Sequence, residues 1–136
     1  MKPLEHFVCN RELAEELKRL GYPQESLFGY VISRNSENEY VIDYSNSCGL
    51  CSESYNVNRE GWIAAPTCGE LGEILPARVT SGKNIDKGYY CKFDSHRKWT
   101  EEDSGMDWQY ADTEADAKAA MLIFLIKNHY IDVTKI

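Results

Sequence analysis

The sequence predicts an α+β domain: a mainly antiparallel sheet of two hairpins packed against a long C-terminal helix, with an N-terminal helix and a short middle helix. Three observations carry this expectation. Helical periodicity occurs in three separate segments, each opened by a residue suited to capping. Two pairs of alternating segments lie between those helices, and each pair is interrupted by a polar stretch. The resulting order is helix, hairpin, loop, short helix, hairpin, long helix, and strands joined by hairpins pair with their chain neighbours.

The first helix is predicted from Asn10 to Leu20. Asn10 can accept a bond from an orphan N–H of the first turn. Leu13, Leu17 and Leu20 share a face with Ala14 beside them, and Glu15 and Arg19 have the spacing of a surface ion pair. Gly21 can close the helix in the left-handed conformation, and Pro23 prevents its continuation. A hairpin follows over 26–33 and 39–45. Phe28, Tyr30 and Ile32 share one side of its first strand, and Tyr40, Ile42 and Tyr44 form the side of the second that is expected to be buried. Residues 46–58 read as irregular, and Trp62-Ile63-Ala64-Ala65 as a short strand or extended arm. Thr67 and Glu70 have capping-box spacing, and Leu71, Ile74 and Leu75 make the apolar face of a short helix stopped by Pro76. Its Gly69 and Gly72 are expected to let it lie close to a neighbour.

Arg78–Ser81 reads as a further strand and Gly82-Lys83-Asn84 as a turn. Tyr89, Cys91 and Phe93 then alternate with Tyr90, Lys92 and Asp94, and a second strand spans Asp107–Ala111 with Trp108 and Tyr110 two apart. The last helix is expected to start at Asp112 or Thr113, with Thr113 and Asp116 in capping-box spacing, and to reach about Tyr130. Between Lys118 and Lys127 it has no polar stripe, and a helix apolar all round is covered all round. One side is expected on the sheet, the other under a second helix or a second subunit.

Composition narrows the class. The chain has 136 residues, 43% hydrophobic and 27% charged, which fits a single soluble domain over 1–136. A net charge of −7 repels a phosphate backbone, so direct nucleic-acid binding is disfavoured. Five cysteines, Cys9, Cys48, Cys51, Cys68 and Cys91, make an odd count that does not match a secreted disulfide framework. The N-terminal residues lack the apolar core of a signal peptide, and the run Ala119–Ile126 is too short to span a bilayer. A cytoplasmic protein with reduced thiols and no membrane contact is expected.

Candidate chemistry is sparse. Cys48-Gly49-Leu50-Cys51 could supply two thiolates to Zn²⁺, but a structural site needs four ligands, and Cys68 and His96 would have to converge from elsewhere. A dithiol redox site places its first cysteine at a helix start, whereas Ser-Glu-Ser-Tyr-Asn-Val-Asn follows here. Cys68, near a helix start, could act as a nucleophile if a base stood beside it, and nothing local fixes His6, His96 or His129 there. Phosphate-binding, dinucleotide-binding, serine-hydrolase and zinc-protease motifs are all absent. No cofactor is implied. Trp99, in a polar setting, and the carboxylates Glu101, Glu102 and Asp103 are candidates for contact with a protein partner. A weaker alternative is a mimic of nucleic acid built from Glu37, Glu39, Asp43, Glu101, Glu102, Asp103 and Asp107.

Two stretches, 62–76 (Trp-Ile-Ala-Ala-Pro-Thr-Cys-Gly-Glu-Leu-Gly-Glu-Ile-Leu-Pro) and 111–123 (Ala-Asp-Thr-Glu-Ala-Asp-Ala-Lys-Ala-Ala-Met-Leu-Ile), together with 12–22, resemble small uncharacterised proteins carried by phages and mobile elements of gut bacteria. The likeness covers about a third of the chain and rests on helix-and-cap patterns. It implies a genomic setting and carries over no activity, ligand or catalytic residue. The expectation from sequence is a non-catalytic accessory protein working by contact with another protein, with homodimerisation as one form of that contact. The alternative is a small metal-binding or cysteine-dependent enzyme around Cys48, Cys51 and Cys68.

Overall fold

A computed structural model describes residues 6–32, 40–44, 62–94 and 106–136. Helix α1 spans Arg11–Arg19, and the Asn10 side chain accepts the Leu13 N–H at 2.9 Å, as its cap position requires. Gly21 has φ 99°, and the Tyr22 N–H returns to the Leu17 carbonyl at 2.9 Å, which closes the helix in a left-handed cap. The expected Glu15–Arg19 pair does not form. Arg19 binds Glu16 instead, and Glu15 lies 3.7 Å from Arg11. Glu16 also takes Lys127 at 2.9 Å, so one carboxylate serves two cations.

Strands β1 (Phe28–Ile32) and β2 (Tyr40–Tyr44) pair antiparallel with Tyr30 opposite Ile42, and β3 (Ile63–Ala64) pairs along the other edge of β1. Tyr40 and Ile42 pack on the core, as their side of the hairpin was expected to. The segment after β3 runs back along the N-terminus: Val8 bridges Thr67, and the Cys9 N–H reaches the Pro66 carbonyl at 3.1 Å. Helix α2, Cys68–Ile74, then starts with a complete capping box, in which Thr67 Oγ1 and the Glu70 carboxylate each accept a backbone N–H at 3.1 Å.

The second sheet consists of β4 (Val79–Asn84), β5 (Gly88–Asp94) and β6 (Met106–Ala111), antiparallel throughout and in chain order. Each expected hairpin has thus acquired a third strand, giving two three-stranded sheets among the described residues. The turn expected at 82–84 lies at 85–87 instead. Asn84 Oδ1 accepts the Asp86 N–H at 2.9 Å and Gly88 takes φ 80°, so these two residues make the reversal. Gly82 is a strand residue, opposite Tyr90. A Cβ there would stand 2.6 Å from Tyr90 Oη, so the glycine makes room for a ring.

Helix α3 spans Glu114–Lys127 and is the centre of the molecule. Thr113 caps it by accepting the Asp116 N–H at 3.1 Å, while the Asp116 carboxylate accepts the Asn10 N–H at 2.6 Å and so anchors α1. The helix ends at Lys127, before the expected Tyr130, because His129 turns left-handed at φ 62° and the Tyr130 N–H reaches back to the Leu125 carbonyl. A 3-10 turn, Val133–Lys135, follows. Met121, Leu122 and Leu125 are fully buried, and truncating either leucine to alanine removes roughly 2–5 kcal/mol in such a setting. The helix lies on the second sheet and is covered elsewhere by α1 and α2. Its two lysines go to different neighbours, Lys127 to Glu16 of α1 and Lys118 to α2 beside Gly72, where a Cβ would stand 3.3 Å from Nζ. The apolar surface that suggested a second subunit is therefore sheltered by helices of the same chain. Among the described residues, no helix is long and apolar enough to cross a membrane.

Candidate functional site

Of the residues singled out from sequence, Cys48, Cys51, His96, Trp99, Glu101, Glu102 and Asp103 lie outside the described residues. So do Glu37 and Glu39. Cys68 is described, half-buried at the first position of α2. Among the described residues, no three His, Cys, Asp or Glu side chains converge as a metal site.

Cys68 opens on a cavity of about 160 Å³ lined also by His6, Phe7, Tyr89 and Glu114. A thiol, an imidazole and a carboxylate thus share one small space. The sequence did not reveal His6 as a neighbour, because the approach depends on a long-range backbone contact. The Cys68 N–H donates to the Phe7 carbonyl at 3.1 Å, which draws the N-terminal segment against α2. Lys118 Nζ is 3.4 Å from Glu114 Oε1, which accepts from Ser81 Oγ at 3.0 Å, and both charged groups act on the thiol. Burial pushes the Cys68 thiol up, Lys118 pulls against it, and Glu114 adds a lesser push up, so the thiol lies above its ordinary value. A reactive thiol needs the opposite balance. The cavity is also well below the ~300–1,000 Å³ of small-molecule sites. These residues instead tie α2, α3 and β4 together. Cys9 and Cys91 are fully buried, and burial raises both thiols, Cys91 to about 11.

The second candidate is the side of the β4–β5–β6 sheet facing away from α3. Register puts Cys91 and Phe93 on the inner side, both buried, and Tyr90 and Lys92 on the outer. Tyr110 stands opposite Tyr90, and Trp108 opposite Lys92, so both β6 aromatics also point outward. Trp108 is 42% exposed and Tyr110 43%. Their rings lie parallel within 7°, centroids 6.1 Å apart, and Tyr90 leans on Trp108 at 5.4 Å. Lys92 Nζ sits over the Trp108 ring at 5.3 Å and Lys87 Nζ over Tyr110 at 5.0 Å. Large aromatics clustered on one solvent-facing side are the informative kind of exposure, unlike scattered apolar residues.

No protein-family model matches the chain, and no curated protein or solved structure is significantly similar to it.

Proposed function

We propose that the protein is a non-catalytic accessory protein, of the kind carried by phages and mobile elements, that acts by holding another protein against the outer side of its second sheet. The observation that supports this is the cluster of exposed Trp108 and Tyr110 with half-buried Tyr90 on adjacent strands of the sheet. Trp and Tyr are the side chains that most often dominate binding energy at protein interfaces. Their attachment to regular strands means little order has to be acquired on binding. A second copy of the chain is the weaker occupant, since a symmetric contact brings Lys87 and Lys92 of both copies together.

The test is affinity capture from host lysate with tagged wild type and with the Trp108→Ser/Tyr110→Ser double variant. The expected result is a captured protein that the folded variant fails to retain. Equal capture by both would reject this surface.

The cysteine-dependent reading draws its support from the shared cavity of Cys68, His6 and Glu114. It requires rapid, stoichiometric labelling of Cys68 by iodoacetamide at neutral pH. Slow labelling that speeds up only at alkaline pH is the outcome expected from its raised thiol pKa.

A further inference from the structure

The chemistry of the outer side narrows the kind of partner, on the reading that this side is the contact surface. The chain carries a net charge of −7, yet the charged side chains placed over these rings are the cations Lys87 and Lys92. The other outward positions described are Thr80, Gly82 and Asn84 on β4 and Tyr90 on β5, all uncharged. The charges held over the rings are thus both positive, with Asp86 beside Lys87 in the 85–87 turn, on a chain of net negative charge.

The rings are arranged to favour one class of ligand. The faces of Trp108 and Tyr110 are engaged by each other and by the two ammonium groups, at 6.1, 5.3 and 5.0 Å. Binding of single-stranded nucleic acid relies on open ring faces on which bases stack. What these rings leave to a ligand is their edges, which carry the positive part of the aromatic quadrupole. Ring edges, phenol hydroxyls and ammonium groups are all suited to accept negative oxygen. The two ammonium groups lie over ring faces, so their charges are held in place with less entropy to lose than those of free surface lysines.

We infer that the outer side of the β4–β5–β6 sheet binds an acidic segment of a partner protein, whose carboxylates pair with Lys87 and Lys92 while its other atoms pack against the exposed edges of Trp108, Tyr110 and Tyr90. The carboxylates complement the two ammonium groups, and the net negative charge of the chain disfavours an acidic partner where no such cations stand.

The experiment is selection of a library of random short peptides on the immobilised full chain, repeated with Lys87→Glu/Lys92→Glu and with Trp108→Ser/Tyr110→Ser. Peptides enriched by the wild type are expected to be rich in Asp and Glu. The charge-reversed variant is expected to enrich Lys and Arg instead, and the aromatic variant nothing. A synthesised winner should bind at least about tenfold more weakly to the charge-reversed protein, the range of a close charge pair. Uncharged or basic winners, or a preference unmoved by charge reversal, overturn the inference. So does an oligothymidylate that binds the same face while acidic peptides do not. The two levels separate cleanly. If lysate capture still depends on Trp108 and Tyr110 but the winners are not acidic, only the partner's chemistry is wrong. If capture ignores those residues, the contact surface itself is wrong.

Discussion

The two sheets use the same local device for opposite ends. In the first, Gly29 of β1 lies under the Trp62 ring, and a Cβ at Gly29 would overlap that ring. In the second, Gly82 of β4 lies under Tyr90. A glycine on one strand thus accommodates an aromatic ring from another segment in both cases. Trp62 is 1% exposed and helps to close the fold, and the Lys18 ammonium binds its carbonyl at 2.7 Å. Tyr90 leans instead on Trp108, in a cluster that faces water. Aromatic residues on a sheet therefore do not by themselves mark core or surface. What decides is whether a further layer is laid over them, and among the described residues Trp62 is covered while Trp108 and Tyr110 are not.

The sharpest contrast is between the two tryptophans. Trp62→Ala leaves a void in packed surroundings and is expected to cost roughly 3–5 kcal/mol, the usual range for a buried aromatic. Trp108→Ala removes ring contacts with Tyr110 and Tyr90 and one cation–π contact, together worth about 1–2 kcal/mol at an exposed site. Urea unfolding of both variants measures the difference. Equal losses would mean that Trp108 is part of the core and not free for a partner.

The glycines extend the same contrast at smaller scale. Gly29→Ala forces a Cβ into a ring that cannot move, and overpacking of this kind costs roughly 1–3 kcal/mol. Gly82→Ala meets the hydroxyl end of Tyr90, which can swing toward solvent, so less than about 1 kcal/mol is expected. Weaker binding of the captured partner should accompany it, because the ring would leave its place on Trp108. Thermal midpoints and capture from lysate read these two effects separately.

A still smaller effect concerns the helical cover over α3. Glu16 binds Arg19 and Lys127, and those contacts lower its carboxyl from the ordinary 4.5 to about 2. Its folded value lies below its unfolded value, so the stabilisation is complete above the ordinary value and is lost as pH falls toward 2. Acid titration of the urea midpoint should therefore be shallower for Glu16→Gln than for the wild type. Identical slopes would show that the Lys127–Glu16 link does not help to hold α1 on α3. Last, His129→Gly relieves a left-handed non-glycine residue at the end of α3 and is expected to stabilise by about 1 kcal/mol at most. A lower melting temperature for this variant would contradict that account of the helix end.

Features set by residues three or four apart were legible in the sequence. Asn10, Thr67 and Thr113 each cap a helix through a bond to a backbone N–H three residues on, and all three helix starts follow from them. Contacts between distant segments were not. The third strand of each sheet depends on partners such as Ile63 and Tyr30, which no local pattern couples. Gly82 looked like a turn because its lack of a side chain matters only to Tyr90, eight positions later. Alternation also showed that the second hairpin has two unlike sides, but not how β5 aligns with β6. A one-residue slip from the register that sets Trp108 opposite Lys92 would turn the β6 aromatics inward. The need to cover α3 was clear from its composition, whereas the identity of the cover, α1 and α2, required the fold. His6 beside Cys68 likewise depends on the pairing of residues 7–9 with 66–68.

Hydroxyl-radical footprinting of the protein alone and bound to its captured partner tests the central claim most directly. Free protein should be oxidised readily at Trp108 and Tyr110 and slowly at Trp62, in keeping with their exposures of 42%, 43% and 1%. Binding should protect the first two and leave Trp62 unchanged. If Trp108 and Tyr110 are oxidised as fast in the complex as in the free protein, the partner sits elsewhere and the outer side of the second sheet is not the working surface.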